Sequence, residues 1–260
     1  MKILLHALGL WLASAAFASA GWTVVNSERE NPPNESVEHR QTVVANDETG
    51  ARATLHFAIF HPHTTALRVV DQAEAPRRDL AEAMTQEHAL AGVNGGYFDP
   101  QAAPVGLLIS AGKKIARLST ARLLSGVLLA TPKRVDIVRP SHFKMSGQIE
   151  NAVQCGPLLL ERGSAVAGLN DTRPARRTFA AVNENGSTGA LGLCSAVSLA
   201  QLGRILCLTN VAGEQKFVRA LNLDGGSSSA FWVAGGDEAF SISEQKTVRD
   251  FVALVPRSTR

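Results

Sequence analysis

Ala220-Leu221-Asn222-Leu223-Asp224-Gly225-Gly226-Ser227-Ser228-Ser229-Ala230 carries the chain from an apolar run to an acid, two glycines and three hydroxyls, and Phe231-Trp232-Val233 follows. A strand that ends in Asp-Gly-Gly sets a carboxylate at the mouth of a sheet. The glycines allow a tight turn and the close approach of a ligand. Successive free N–H groups in such a turn can form an anion-binding nest. The same letters also make an ordinary Asp-Gly hairpin. The case for a site rests on a second segment of similar character upstream, Val93-Asn94-Gly95-Gly96-Tyr97-Phe98, which holds the only tyrosine of the chain.

Working outward, short β-prone runs dominate. Strands are expected at 22–25, 53–60, 66–70, 89–93, 105–109, 125–130, 135–138, 156–160, 179–182, 190–193, 218–223, 230–233 and 251–255. Helices are expected over Arg78–His88, after Pro76, and over Ser198–Leu206, where Ser198 and Gln201 have capping-box spacing. The helices interrupt strand runs instead of alternating with them. That points to an α+β single domain with mixed, largely antiparallel twisted sheets and a few packed helices.

The first twenty residues read as an export signal. Met1-Lys2 gives a positive start, 3–17 are largely apolar, and Ala18-Ser19-Ala20 is a small-residue cleavage pattern. The expectation is a periplasmic or secreted protein cut after Ala20, with no membrane span after cleavage. Residues 21–50 are polar, with Pro32 and Pro33, and are expected to form one short strand and a flexible approach. Residues 51–260 form the main domain.

Hydrophobic residues make up 45% and charged residues 19%, with a net charge of +3. The charge is weak and dispersed, which argues against nucleic acid as a partner. Export permits a disulfide among Cys155, Cys194 and Cys207, with Cys194 and Cys207 the closer pair. The spacings match no zinc pattern. Cys155 reads as a buried small hydrophobe ahead of a nucleophile, and His61-Pro62-His63 as a Pro-containing turn ahead of a metal pair.

Four segments share a strand end, glycines or charge, and a polar residue that packing does not require. Besides the two above, they are Gln154-Cys155-Gly156-Pro157-Leu158-Leu159-Leu160 and Arg176-Arg177-Thr178-Phe179-Ala180. None fits a P-loop, a dinucleotide fingerprint or a nucleophile elbow. Together, and in this order over residues 50–256, they resemble the phosphodiester glycosidase family. That family has an Asn-Gly-Gly-Tyr/Phe-Phe segment, a Gly-Pro-Leu strand, an Arg-Thr-Ala strand start and a final Asn-Leu-Asp-Gly-Gly-Gly-Ser. Here Ser227 replaces the third glycine, which narrows the turn's backbone freedom and is expected to crowd the phosphate side. Phe179 follows Thr178 where the family has alanine.

The resemblance implies hydrolysis of sugar-1-phosphodiesters, GlcNAc-1-phosphodiester-like linkages in envelope or extracellular glycans among them. That chemistry needs cations and N–H donors on the phosphate side. It also needs a carboxylate to support an oxocarbenium-like centre or to activate water. On that basis Asp224 is the carboxylate, Arg177 the phosphate ligand, and Asn94 the group that orients substrate or water. Gly95, Gly96 and Tyr97 line the sugar site; Gly225, Gly226 and Ser227 supply donors; Asn222 holds the acid from the same strand face. Asp99 is a second carboxylate that would pair with Asp224 if the two faced each other. No cofactor is required; a divalent metal between Asp99, Asp224 and a His is allowed, and no spacing demands it. Two other readings stand beside this one. The scaffold could serve a non-catalytic glycan-binding or polysaccharide-export protein, or the Ser227–Ser229 cluster could act as a serine hydrolase.

Overall fold

The computed structural model of the protein describes residues 21–30, 36–236 and 238–257. The signal sequence expected over 1–20 lies outside the described residues. The strands in chain order are β1 (Trp22–Glu30), β2 (Val37–Asn46), β3 (Arg52–Phe60), β4 (Thr65–Asp71), β5 (Ala91–Asn94), β6 (Leu108–Ser110), β7 (Lys113–Ala116), β8 (Gly126–Ala130), β9 (Val135–Val138), β10 (Asn151–Cys155), β11 (Leu158–Glu161), β12 (Ser164–Ala165), β13 (Ala175–Val182), β14 (Gly189–Val197), β15 (Arg219–Asn222), β16 (Phe231–Val233), β17 (Phe240–Ile242) and β18 (Asp250–Pro256). Helices α1 (Leu80–Gln86) and α2 (Leu199–Leu206) lie on the sheets, and Pro140–His142 and Gly226–Ser228 are single 3-10 turns.

Three sheets result, in the orders β1-β2-β3-β14-β13-β15-β11-β12, β7-β6-β10-β8-β9 and β17-β16-β5-β18-β4. Every strand pairing among the described residues is antiparallel. The fold is therefore sheet-dominated, and the parallel element of the expected mixed sheets is missing. Parallel neighbours need long crossovers, usually helical, and the described residues hold two short α-helices.

The large sheet is buried on both faces. Along β3, Ala53, Leu55, Phe57 and Ile59 join the core beneath α2. The alternate residues Ala58 and Phe60 join the core shared by the three sheets. This is the period-2 alternation of a strand with two apolar faces. The capping box at α2 forms as its spacing predicts: Ser198 Oγ accepts from Gln201 N at 3.0 Å and Gln201 Oε1 accepts from Ser198 N at 2.8 Å.

Residues 21–50 differ from expectation. They carry two long strands, and β2 pairs with β3 along its length. The buried positions of β2 include His39 on one face and Thr42 and Asn46 on the other, so its alternation is not apolar and was not visible in the sequence. The three cysteines are all free thiols, with Cys155 and Cys194 buried and Cys207 exposed; no Cys194–Cys207 bond forms. Cys155 packs in the central core as expected. His61 ends in its turn with Nδ1 3.1 Å from Ser187 O.

One buried polar pair makes the fold sensitive to acid. His39 Nε2 and His56 Nδ1 lie 3.3 Å apart, under the rings of Phe231 and Phe240. Burial pulls both imidazoles down to about 4, helped at His39 by its neighbour. Both are neutral in the fold and take up a proton more readily once unfolded. Their contribution is thus full above about pH 6.5 and is lost as pH falls toward 4. Thermal scans across that window should show a steeper fall in Tm for the wild type than for a His39→Gln/His56→Gln variant; parallel curves would refute this.

Candidate active site

β5 and β15 end side by side, and their ends are tied together. Asp224 N donates to Gly95 O at 3.0 Å, and Asn94 Nδ2 donates to Asp224 O at 2.7 Å. Asn94 is 0% exposed. Its Oδ1 accepts from Thr178 Oγ1 at 2.6 Å and from Ala230 N at 3.0 Å. One buried amide therefore joins β5, β13 and both sides of the Asp224 turn, which explains the demand for Asn at the first motif and for Thr after Arg177.

Beneath the turn sits a second polar cluster. Asn222 Nδ2 lies 2.9 Å from Gly156 O and 3.1 Å from Tyr97 Oη, and Tyr97 donates its own hydroxyl to Gly156 O at 2.7 Å. Asn222 Oδ1 is buried without a partner among the described residues. Burial raises the Tyr97 phenol well above its ordinary range, as do the neighbouring Cys155 and Asp224, against the opposing pull of Arg177. Tyr97 is a neutral donor at any working pH.

Asp224 itself is partly exposed. Burial raises its carboxyl, and Ser228, Lys246 and the Gly225 N–H pull it back down; that N–H reaches Oδ1 at 2.9 Å. Arg177 lies against the same turn: a Cβ built on Gly225 would stand 3.7 Å from its Nη1. Its Nε donates to Val197 O at 3.0 Å and its Nη2 to Arg173 O at 2.5 Å. The guanidinium is thus aimed by two carbonyls, and Nη1 has no acceptor among the described residues. It is half-buried, which lowers its pKa. A second cation, Lys246, sits over the Phe98 ring at 5.1 Å on a loop fixed by Gln245 N donating to Ser227 O at 2.7 Å.

The glycines divide in role. Gly95 and Gly96 are buried, and their N–H groups go to Asp250 O at 2.9 Å and Asp250 Oδ1 at 3.0 Å. A Cβ on Gly95 would stand 1.8 Å from Asp250 Oδ1, so this position must be glycine. Gly226 has φ +66°, whereas Ser227 is not among the residues of positive φ. Serine is therefore unstrained at the third position of the turn, and its side chain is exposed. Asp99 is used locally, its Oδ1 accepting from Gln101 N and Ala103 N at 2.9 and 2.8 Å. No group of three or more His, Cys, Asp or Glu converges as a metal site among the described residues.

Two residues of the candidate site were missed in the sequence. Lys246 has no motif around it. Asp250 left a faint signal, an acid opening the apolar run Phe251–Val255. It is 1% exposed, and its Oδ2 has no partner among the described residues. Burial pushes its carboxyl up to about 7, with Asp71 and Asp224 adding to the rise and the Gly96 N–H and Arg249 opposing it. A carboxyl raised in the fold stabilises fully below its unfolded value of about 3.9 and loses that contribution as pH climbs through 7. Asp250→Asn should therefore gain in Tm on the wild type between pH 5 and pH 8. A gap that stays constant with pH would contradict this.

The sequence model of the phosphodiester glycosidase family matches residues 87–255. The chain belongs to that family. All four motif segments described above fall within that match, and the turn, Arg177, Asn94 and Asp250 are built from it. Among solved structures the chain is similar to the zebrafish N-acetylglucosamine-1-phosphodiester alpha-N-acetylglucosaminidase catalytic domain auto-inhibited by its pro-peptide. That likeness has a TM-score of 0.63 at 15% identity and covers 90% of this chain and 89% of that one. A hypothetical protein from Synechocystis matches with a TM-score of 0.57 at 16% identity, over 91% of this chain and 68% of its own. At such identities these likenesses speak for the fold. The uncharacterized protein YigE of Escherichia coli K12 is 36% identical over 91 residues, 32% of this chain and 36% of YigE, so the match spans about a third of that relative's length.

Proposed function

We propose that this member of the family is an exported hydrolase that cleaves the bond between a sugar anomeric carbon and a phosphodiester oxygen. The observation that carries the reading is that Arg177, on β13, lies against the turn that bears Asp224. The turn presents a partly desolvated carboxylate, and the guanidinium that lies against Gly225 is aimed by two carbonyls with Nη1 left without an acceptor among the described residues. Export is supported by the sequence pattern of residues 1–20. No described helix is long and apolar enough to cross a membrane.

In this reading the phosphate meets Arg177 Nη1, with Lys246 close enough to Asp224 to act on its carboxyl, and the charge that builds on the leaving phosphate is stabilised there. The N–H groups of Gly226 and Ser227, which have no acceptor among the described residues, add donors on the same side. Phosphate is a good leaving group, so the step needs no strong general acid. Asp224 faces the anomeric centre, where it supports the oxocarbenium-like state or takes a proton from the attacking water. Its raised pKa brings a carboxylate base closer to neutrality. Asn94 and Asn222 act as positioning residues, since both are buried. Tyr97 borders the sugar side.

The test is hydrolysis by purified mature protein of a small panel that begins with UDP-GlcNAc and methyl-phospho-GlcNAc, with and without EDTA. Release of the free sugar from any member supports the reading, and sensitivity to EDTA would add a metal to it. Folded protein that turns over none of them would favour a glycan-binding role on the same scaffold.

A further inference from the structure

β11 and β15 run from the candidate active site to a second, separate feature. Gly156 and Asn222 lie at one end; Glu161 and Arg219 lie at the other. There a cavity of about 690 Å³ opens between those strand ends and the β9 edge of the neighbouring sheet. Apolar Ile137, Leu158 and Val218 help to line it, and Arg139, Arg162, Lys216 and Arg219 stand around it against Glu161 and Glu184. A second cavity of about 540 Å³ adjoins it, sharing Val138 and His142, and adds Lys133, Arg134 and Lys144 against Asp136 alone.

The two form one groove with seven Lys and Arg side chains against three carboxylates. That surplus exceeds the net charge of +3 on the whole chain. Part of the charge is neutralised: Arg139 is held by Glu161 at 2.7 and 2.6 Å, and Arg134 and Arg219 share Asp136. Lys133, Lys144, Arg162 and Lys216 have no ion pair among the described residues. The Nε of Arg219 is buried without a hydrogen-bond partner. A cleft lined by one sign of charge over low-dielectric walls concentrates ligands of the opposite sign.

We propose that this groove binds an anionic polysaccharide, a chain of sugars that carries phosphodiesters or other acidic groups. Its only carbocyclic aromatic is Phe143, whereas grooves for single-stranded nucleic acid repeat aromatic platforms on which bases stack. Cations without stacking surfaces fit a sugar polymer with anionic links. Roughly 10 Å of β15 separates Arg219 from Asn222 at about 3.3 Å per residue. A polymer held in the groove needs to extend only that far to meet the Asp224 turn, and in this proposal the protein acts on chains as well as small diesters. The choice of a glycan rests on the hydrolase reading above; the charge of the groove does not.

The test is binding of labelled phosphomannan, a mannan that carries phosphodiesters, beside neutral dextran and single-stranded DNA of similar length. Wild type should retain phosphomannan at low salt, release it as salt rises, and ignore dextran. Lys144→Glu/Lys216→Glu, one exposed lysine from each cavity, should weaken binding about tenfold or more and leave turnover of methyl-phospho-GlcNAc within about twofold. Asp224→Asn should bind phosphomannan as the wild type does. No retention of phosphomannan, retention indifferent to the double variant, or tighter binding of DNA would each overturn the proposal. Polymer binding with no hydrolysis of any diester would uphold the groove and sink the hydrolase reading; hydrolysis without polymer binding would do the reverse.

Discussion

Asp224→Asn lowers kcat on sugar-1-phosphodiesters by about 10²–10⁴-fold, the range typical of a lost general base, while KM moves little. Asparagine keeps the shape of the side chain and still accepts the Gly225 N–H that now reaches Oδ1 at 2.9 Å. What it removes is the negative charge and the proton acceptor. In the proposed reading the phosphate is held by Arg177 and the turn, which this substitution leaves untouched, so substrate is still held. The pH profile supplies a second check. Burial raises the carboxyl, so wild-type kcat should fall on the acid side at a pH above the ordinary carboxylate value of about 3.9. Steady-state kinetics with circular dichroism on both proteins decides the matter. A folded variant with undiminished turnover would remove Asp224 from the chemistry.

Asn94→Ala has the largest expected effect on stability, about 3–5 kcal/mol. Three groups lose their partner at once: Asp224 O, Thr178 Oγ1 and Ala230 N. Each unsatisfied buried group costs about 1–3 kcal/mol, and a small cavity adds to the loss. Against a total stability of about 5–15 kcal/mol, that is enough to unfold much of the population at elevated temperature. Denaturant titration measures it. A loss of under about 1 kcal/mol, within the range of ordinary surface changes, would show that water or a shifted side chain replaces the amide. Asn94→Asp separates geometry from charge. It keeps Oδ1 but sets an oxygen against Asp224 O, and should lower turnover together with stability.

Much of this was legible in the sequence because the site motifs are local. The Asn-Gly-Gly and Asp-Gly-Gly segments each combine a strand end, a forced turn and one polar side chain. Ser198 and Gln201 likewise announced the start of α2. What was hidden depends on tertiary neighbours. β2 buries His39 on one face and Thr42 and Asn46 on the other, so neither face carries an unbroken apolar period. Asp250 has an ordinary sequence neighbourhood, and its importance arises only because β18 lies beside β5 and presents its carboxylate to Gly96. The same holds for Lys246, whose place over Phe98 comes from the path of a loop. Asn94 stood out in the sequence as a candidate, but its burial did not; the sequence could not distinguish an amide that faces ligand from one that faces Thr178.

The β5–β18 pairing also bears on how activity is acquired. The contacts that shape the turn join Asn94 to Asp224 across 130 residues and Gly96 to Asp250 across 154. Such closures carry the chain-entropy cost of long loops and tend to form late, after local hairpins. The candidate catalytic turn is therefore assembled with the help of β18, the last strand of the described residues. Partly folded molecules that have their hairpins but lack β18 should be inert, so the onset of turnover during refolding should report completion of the whole domain and should lag behind the recovery of sheet structure.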